Sequence, residues 1–202
     1  MKTPLPRLAR RSAFSLIELL MVIAIIATVT AFVAPSFNSI IVGSDLTCAG
    51  QMIGDQMMYA RQEAVTKNQE VQVRFYNLSN DATKGWRGVQ VWRIEQTKTG
   101  SVAMAAGRML LIRENVMINA DAGLSPLLTA DPHISGTANV PGHGAIAYAG
   151  FRFRANGATD NSITEANSFL TLQNAKAQGP VPANYYTIQV NPVTGKTTIF
   201  RP

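Results

Sequence analysis

The chain has 202 residues, 47% of them apolar and 15% charged, too apolar for disorder and long enough for one domain with an added element. Its formal charge of +6 points at first to nucleic acid or an anionic surface. Lys2, Arg7, Arg10 and Arg11, however, all fall in an acid-free leader, residues 1–13, and without it 14 basic residues face 12 acidic ones.

A single cysteine, Cys48, excludes an internal disulfide framework and a Cys-rich zinc centre. His133 and His143 sit in a glycine- and proline-rich stretch and give neither metal-ligand nor triad spacing. A tethered hydrolase would need Asp131, His133, His143 and a serine such as Ser135 to converge, and no nucleophile-elbow motif accompanies them. No cofactor is expected.

After the leader, Leu16 to Ala34 forms nineteen residues whose only charge is Glu18. As a helix rising about 1.5 Å per residue they cover roughly 28 Å, close to the hydrocarbon thickness of a bilayer. The upstream cations would stay cytoplasmic, and everything after about residue 35 would face the other side. A plain signal anchor explains the cations and the apolar run but not a carboxylate at its start. A secretory signal could end at Val29-Thr30-Ala31, yet such signals have apolar cores of about 7–15 residues.

Arg11-Ser12-Ala13-Phe14-Ser15-Leu16-Ile17-Glu18-Leu19-Leu20 resembles the prepilin signature of type IV pilins and type II secretion pseudopilins. The resemblance implies cleavage by a prepilin peptidase between Ala13 and Phe14, N-methylation of Phe14, and a retained transmembrane and assembly helix, residues 14–34, in which Glu18 is the acidic assembly residue. The family usually places glycine before the cut, where this chain has Ala13. An ionised carboxylate near hydrocarbon is costly, by about 2.5–3.5 kcal/mol for Asp at a helix centre, and demands a partner. The new amine at Phe14 of a neighbouring subunit is the partner that the resemblance implies. The implied setting is a single-pass protein of the bacterial inner membrane, with a cytoplasmic N-terminus and periplasmic head, extracted into a filament on assembly. Its implied partners are the peptidase, other pilin or pseudopilin subunits, an inner-membrane assembly platform and membrane lipid.

Pro35 closes the apolar run, and a bend is expected there. Ser44 or Asp45 can cap a restarted helix after Gly43. From Leu46 the apolar residues Ala49, Ile53, Met57, Ala60 and Ala64 follow at helical spacing and predict one buried face. The helix thus continues over residues 35–67, with Met52, Met57 and Met58 expected as core filler. The head, residues 68–202, opens on Gln69 to Tyr76, where the period changes to two. Further strands are expected from Gly88 to Glu95, Arg108 to Asn119, Ala145 to Arg154, Ser168 to Gln173, Tyr186 to Val190 and Lys196 to Arg201. Asn191 to Gly195 has the composition of a hairpin turn. Trp86 and Trp92 flank an expected strand start, and residues 120–144 read as a surface excursion. A helix followed by strands predicts an α+β fold: a long N-terminal helix on a mainly antiparallel β head.

That order resembles H-type pseudopilins and FimT-like minor pilins, through Phe151-Arg152-Phe153-Arg154-Ala155-Asn156-Gly157 and the hairpin Ile188 to Lys196. Gly43 to Tyr76, with Ala60 to Asn68 at its centre, also resembles the pilin-like Verru_Chthon cassette protein D subfamily. The function implied is a pilin-like structural subunit, not an enzyme, in a type II secretion pseudopilus or type IV pilus-like filament. The alternative is a DNA-binding minor pilin for DNA uptake, since FimT-like proteins include members that bind DNA through basic residues near the C-terminus. Arg152, Arg154, Lys196 and Arg201 are the residues for that role here, although the near-neutral mature chain argues against nucleic acid as a partner.

Overall fold

The computed structural model describes residues 14–78, 85–98, 100–129, 134–161, 168–177 and 182–201, apart from the side chains of 33–40 and 42. The leader, Ala13, Asp131 and His133 lie outside the described residues. Helix α1, Leu16–Lys67, continues as one helix through Pro35, which has no N–H to donate, and through Gly43 and Asp45. No helix restarts at Ser44 or Asp45. The chain divides into two compact units, one ending at Ile41 and one beginning at Val42.

In the first unit the side chains of α1 from Leu16 to Phe32 are exposed all round, including Ile23, Ile26 and Val29. Thr28 and Thr30 donate their hydroxyls to the carbonyls of Ala24 and Ile26, each at 2.7 Å, so these polar groups are satisfied within the helix. No helix of the described residues is long and apolar enough to cross a membrane. Of the expected 14–34 span, the side chains of residues 33 and 34 lie outside the described ones.

In the second unit α1 buries Leu46, Ala49, Ile53, Met57, Ala60 and Ala64, the face that the spacing predicts. Met52 packs partly buried against this core, whereas Met58 is 55% exposed and fills no core space, contrary to expectation. Gly50 lets the helix approach the sheet closely, since a Cβ there would collide with the Tyr186 ring. The helix ends in a Schellman motif. Asn68 takes a left-handed φ of 51°, its N–H donates to Val65 (3.3 Å), and that of Gln69 donates to Ala64 (3.1 Å).

Among the described residues ten strands form one antiparallel sheet. They are β1 Val71–Asn77, β2 Trp86–Thr97, β3 Gly100–Ala105, β4 Leu110–Leu111, β5 Val116–Ile118, β6 Ile134–Val140, β7 Gly144–Phe153, β8 Phe169–Asn174, β9 Tyr185–Val190 and β10 Thr197–Phe200. Their order is β10-β9-β8-β5-β2-β1-β7-β6, with β3 and β4 also pairing with β2. Val71, Val73 and Phe75 of β1, Val89 and Val91 of β2, and Phe151 and Phe153 of β7 join the buried helix face in one core. The α+β architecture thus follows the sequence reading.

Several elements differ from expectation. The strand expected over 108–119 is two short strands separated by the segment around Arg113 to Asn115. Of residues 120–144, Leu127 and Leu128 of the short helix α2, Pro126–Thr129, are buried and β6 pairs with β7 along its length, while most of the other described residues there are exposed as expected. Trp86 and Trp92 both lie within β2, and Trp86 joins the core.

In the β9–β10 turn, Asn191 takes Val193 and Thr194 N–H groups onto its side-chain oxygen, at 3.1 and 2.9 Å. Gly195 has φ 66°, and a Cβ there would collide with the carbonyl oxygen of Gly157. Gly195→Ala should therefore cost about 1–3 kcal/mol of stability, read as a lower urea midpoint with an unchanged slope.

Candidate functional site

The processing and assembly segment begins at Phe14, which is 74% exposed. Ser15 directly precedes the first helical residue, and its carbonyl accepts the N–H groups of Glu18 (3.0 Å) and Leu19 (3.1 Å). Glu18 lies in the first turn, where a carboxylate complements the positive end of the helix dipole. Ser15-Leu16-Ile17-Glu18 also has the S-x-x-E spacing of a capping box, a signal for the helix start that the pattern of apolar residues does not contain. Glu18 is thus placed both to favour the helix start and to present a charge at the head of an apolar rod.

The four basic residues named for nucleic acid do not form a free patch. Arg152, on β7, lies 3.6 Å from Glu70 and 3.9 Å from Asp160, and its backbone N–H donates to the Asp160 carboxylate. Arg201 donates to the Thr47 hydroxyl and to the Gly43 carbonyl, pinning the chain end to α1. Lys196 stands before β10 and Arg201 after it, so the strand separates them. Arg154 opens the turn that its own carbonyl closes with Gly157 N–H. Of the hydrolase candidates, Ser135 is exposed on β6 and His143 lies in the β6–β7 turn.

Two head constellations carry charge or polarity that the pattern of the sequence does not expose. Asp45, buried on α1, accepts from Arg113 (2.7 Å) and Asn115 (2.6 Å), which fastens the β4–β5 connection to the helix. The residue expected as a cap is instead a tertiary anchor. On the sheet face away from α1, Arg74 is sandwiched between the rings of Trp92 (4.4 Å) and Tyr148 (4.6 Å), and Gln72 accepts two of its N–H groups. Trp92 donates its indole N–H to the Tyr76 hydroxyl (3.0 Å), which donates onward to Gln90 (3.2 Å).

Burial pushes the Tyr76 hydroxyl above its ordinary value of 10.0, with Trp92 and Arg74 opposing the shift. Burial likewise raises Tyr186, against Arg201. A raised folded-state value means that stability is full below the unfolded value near 10 and is lost as pH rises through the folded one. Absorbance titration should therefore show two of the five tyrosines ionising last, together with a fall in stability confined to the pH range above about 10.

Among the described residues no group of three or more His, Cys, Asp or Glu is placed to hold a metal ion.

Comparison with known proteins places these features. The Prokaryotic N-terminal methylation motif matches residues 8–34. Two solved structures of the minor pseudopilin EpsH from the type II secretion system of Vibrio cholerae are similar at 12% identity. One covers 78% of this chain and 98% of that one at a TM-score of 0.44, and the other covers 80% and 96% at 0.45. No curated protein matches the sequence. The family model described as Type II transport protein GspH matches residues 49–195, well over half of the sequence and nearly all of the head, and the chain belongs to that family.

Proposed function

We propose that the chain is a membrane-anchored subunit of a type II secretion pseudopilus, cut between Ala13 and Phe14, N-methylated at Phe14 and assembled through residues 14–34. The observation that carries this reading is the first half of α1. An apolar helix exposed on every side has no stable place in water and needs lipid or neighbouring helices around it. The internal bonding of Thr28 and Thr30 suits such a medium, because no water is available there to satisfy a hydroxyl. Moving from lipid into a helix bundle gains packing but little transfer energy, so the charge at Glu18 supplies register. The head then faces the periplasm, and the inner-membrane assembly platform and lipid complete the set of partners.

As a family member the chain is a pilin-like structural subunit rather than an enzyme. The N-methylation motif supports prepilin processing, and other pseudopilin subunits are the partners that the family implies. The DNA-binding alternative gains no support from Arg152 and Arg201, whose guanidinium groups are taken up within the head.

Intact mass and N-terminal sequencing of the membrane-extracted protein from its native host test the reading. The expected result is a terminus at methylated Phe14. An uncut chain would leave a plain membrane anchor, and a soluble chain starting at Phe32 would mean a secretory signal. Ala13→Gly, which restores the residue usual before the cut, should speed processing in a pulse-labelling experiment.

A further inference from the structure

We propose that the groove between the flank of α1 and the free edge of β10 docks an extended, acidic strand from a different subunit, which adds to the sheet beside β10. The inference rests on the filament-subunit reading above and deepens it by naming a surface and the chemistry of its partner.

The groove has a volume of about 740 Å³, and Met58, Arg61, Val65, Lys196 and Thr197 are among the residues that line it. Met58 and Val65 leave about half of their surface exposed, and Ile199, whose side chain meets α1 at Gly54, leaves 44%. Clustered apolar exposure of this kind marks an interaction surface rather than ordinary solvent-facing residues. Its partner is a strand because of the backbone beside it. β10 ends the sheet. Asn191 N–H donates to the Lys196 carbonyl (2.8 Å), and Thr198 and Phe200 are registered opposite Gln189 and Thr187. The alternation of an antiparallel ladder then turns the backbone groups of Thr198 and Phe200 toward β9 and those of Thr197 and Ile199 outward. A row of outward N–H and C=O groups is a template for strand addition.

Charge selects the strand. Arg61 and Lys196 line the groove, no acidic residue does, and neither cation forms an ion pair among the described residues. Arg61 spends its Nε on the Thr194 carbonyl at 2.9 Å, which holds the guanidinium at the groove wall. This chain's own exposed edge strands are poor occupants: β3, Gly-Ser-Val-Ala-Met-Ala, and β6, Ile-Ser-Gly-Thr-Ala-Asn-Val, contain no acid. β10 itself, Thr-Thr-Ile-Phe, has none either, so edge-to-edge pairing with any of these strands of a second copy places no carboxylate in the added strand opposite the two cations. The fitting partner is therefore another chain, with carboxylates flanking an alternating apolar strand.

The test uses the full chain in detergent micelles and two capped seven-residue peptides of alternating Val and Thr, one with Asp at both ends and one with Lys. Calorimetry should show the Asp peptide binding at least about tenfold more tightly, the scale of losing a pair of charge contacts. Lys196→Glu should reverse that preference. Thr197→Pro should abolish binding, since it removes an outward N–H and leaves the β9 ladder intact, a position where an edge strand tolerates proline. Thermal unfolding reports whether each variant folds. Lys196→Glu, at an exposed turn residue, keeps the test decisive should the proline variant melt early. Equal binding of the two peptides, or no binding by the parent chain, overturns the proposal. So does dimerisation of the parent chain that Thr197→Pro abolishes, since the edge would then take a second copy. Because the peptides bind the head whether or not the N-terminus is cut, loss of the processing reading and loss of this one give different results.

Discussion

Glu18→Ala should enter the membrane as well as the parent chain does, or better, and should fall about tenfold or more in incorporation into filaments. The two halves of the result have separate causes. Removing a carboxylate near the hydrocarbon lifts a cost of about 2.5–3.5 kcal/mol on the insertion scale. On the proposed reading the same carboxylate pairs in the assembled state with the methylated amine of a neighbouring Phe14, and a loss of about 1.4 kcal/mol at that contact is already a factor of ten. A second task, at the helix start, would follow from the capping-box spacing of Ser15 and Glu18. Glu18→Gln separates the two tasks, since glutamine serves in a capping box but carries no charge. The expected result is that Gln assembles as poorly as Ala. Sedimentation of sheared filaments with quantitative blotting reads incorporation, and carbonate extraction reads insertion. Gln assembling like the parent chain would assign Glu18 to the helix start and remove it from subunit pairing.

The helix and its inner face were legible because one physical constraint governs them. Leu46 through Ala64 must all meet the sheet, so helical spacing survives in the sequence and all six residues are buried. β1 was legible for the same reason at period two. The strands that escaped notice are those with little to bury. β3 is exposed along almost its whole length, and β6 buries only Ile134 well, so small and polar residues sit there without alternation. Their place comes from hydrogen bonding to β2 and β7, which leaves no mark on hydropathy.

Polar anchors escaped for a related reason. Asp45 sits where a helix cap is plausible, and nothing local tells that Arg113 and Asn115, some seventy residues on, will meet it. Arg74 reads as the solvent-facing residue of an alternating strand, yet neighbouring strands bring Trp92 and Tyr148 over both of its faces. Of the candidate site, Phe14 and Glu18 were legible as a contiguous motif. The groove beside β10 joins residues more than a hundred positions apart, and only the fold assembles it.

Phe151→Ala should be the most damaging single change in the head, lowering its stability by about 3–5 kcal/mol. Phe151 is fully buried on β7, registered opposite Val73 of β1, and meets Phe153 edge to face with ring centroids 5.2 Å apart. The loss combines three terms: transfer of the ring out of water, the aromatic pair, worth about 0.5–1.5 kcal/mol beyond its area, and the cavity left behind. That cavity cannot close easily. The strand is paired with β1 at this position and with β6 up to Gly150, and the helix face in the same core includes Ala60 and Ala64, which have no bulk to move in. Leucine at the same position keeps most of the volume and should recover much of the loss. Urea unfolding gives the stability difference directly, and a shortfall to below about 1 kcal/mol would mean that the site collapses around the missing ring. In cells a deficit of this size lowers abundance several-fold by exposing the head to proteases. Phe151→Ala should therefore deplete total subunit in the membrane, whereas Glu18→Ala leaves the amount unchanged and depletes only the filament.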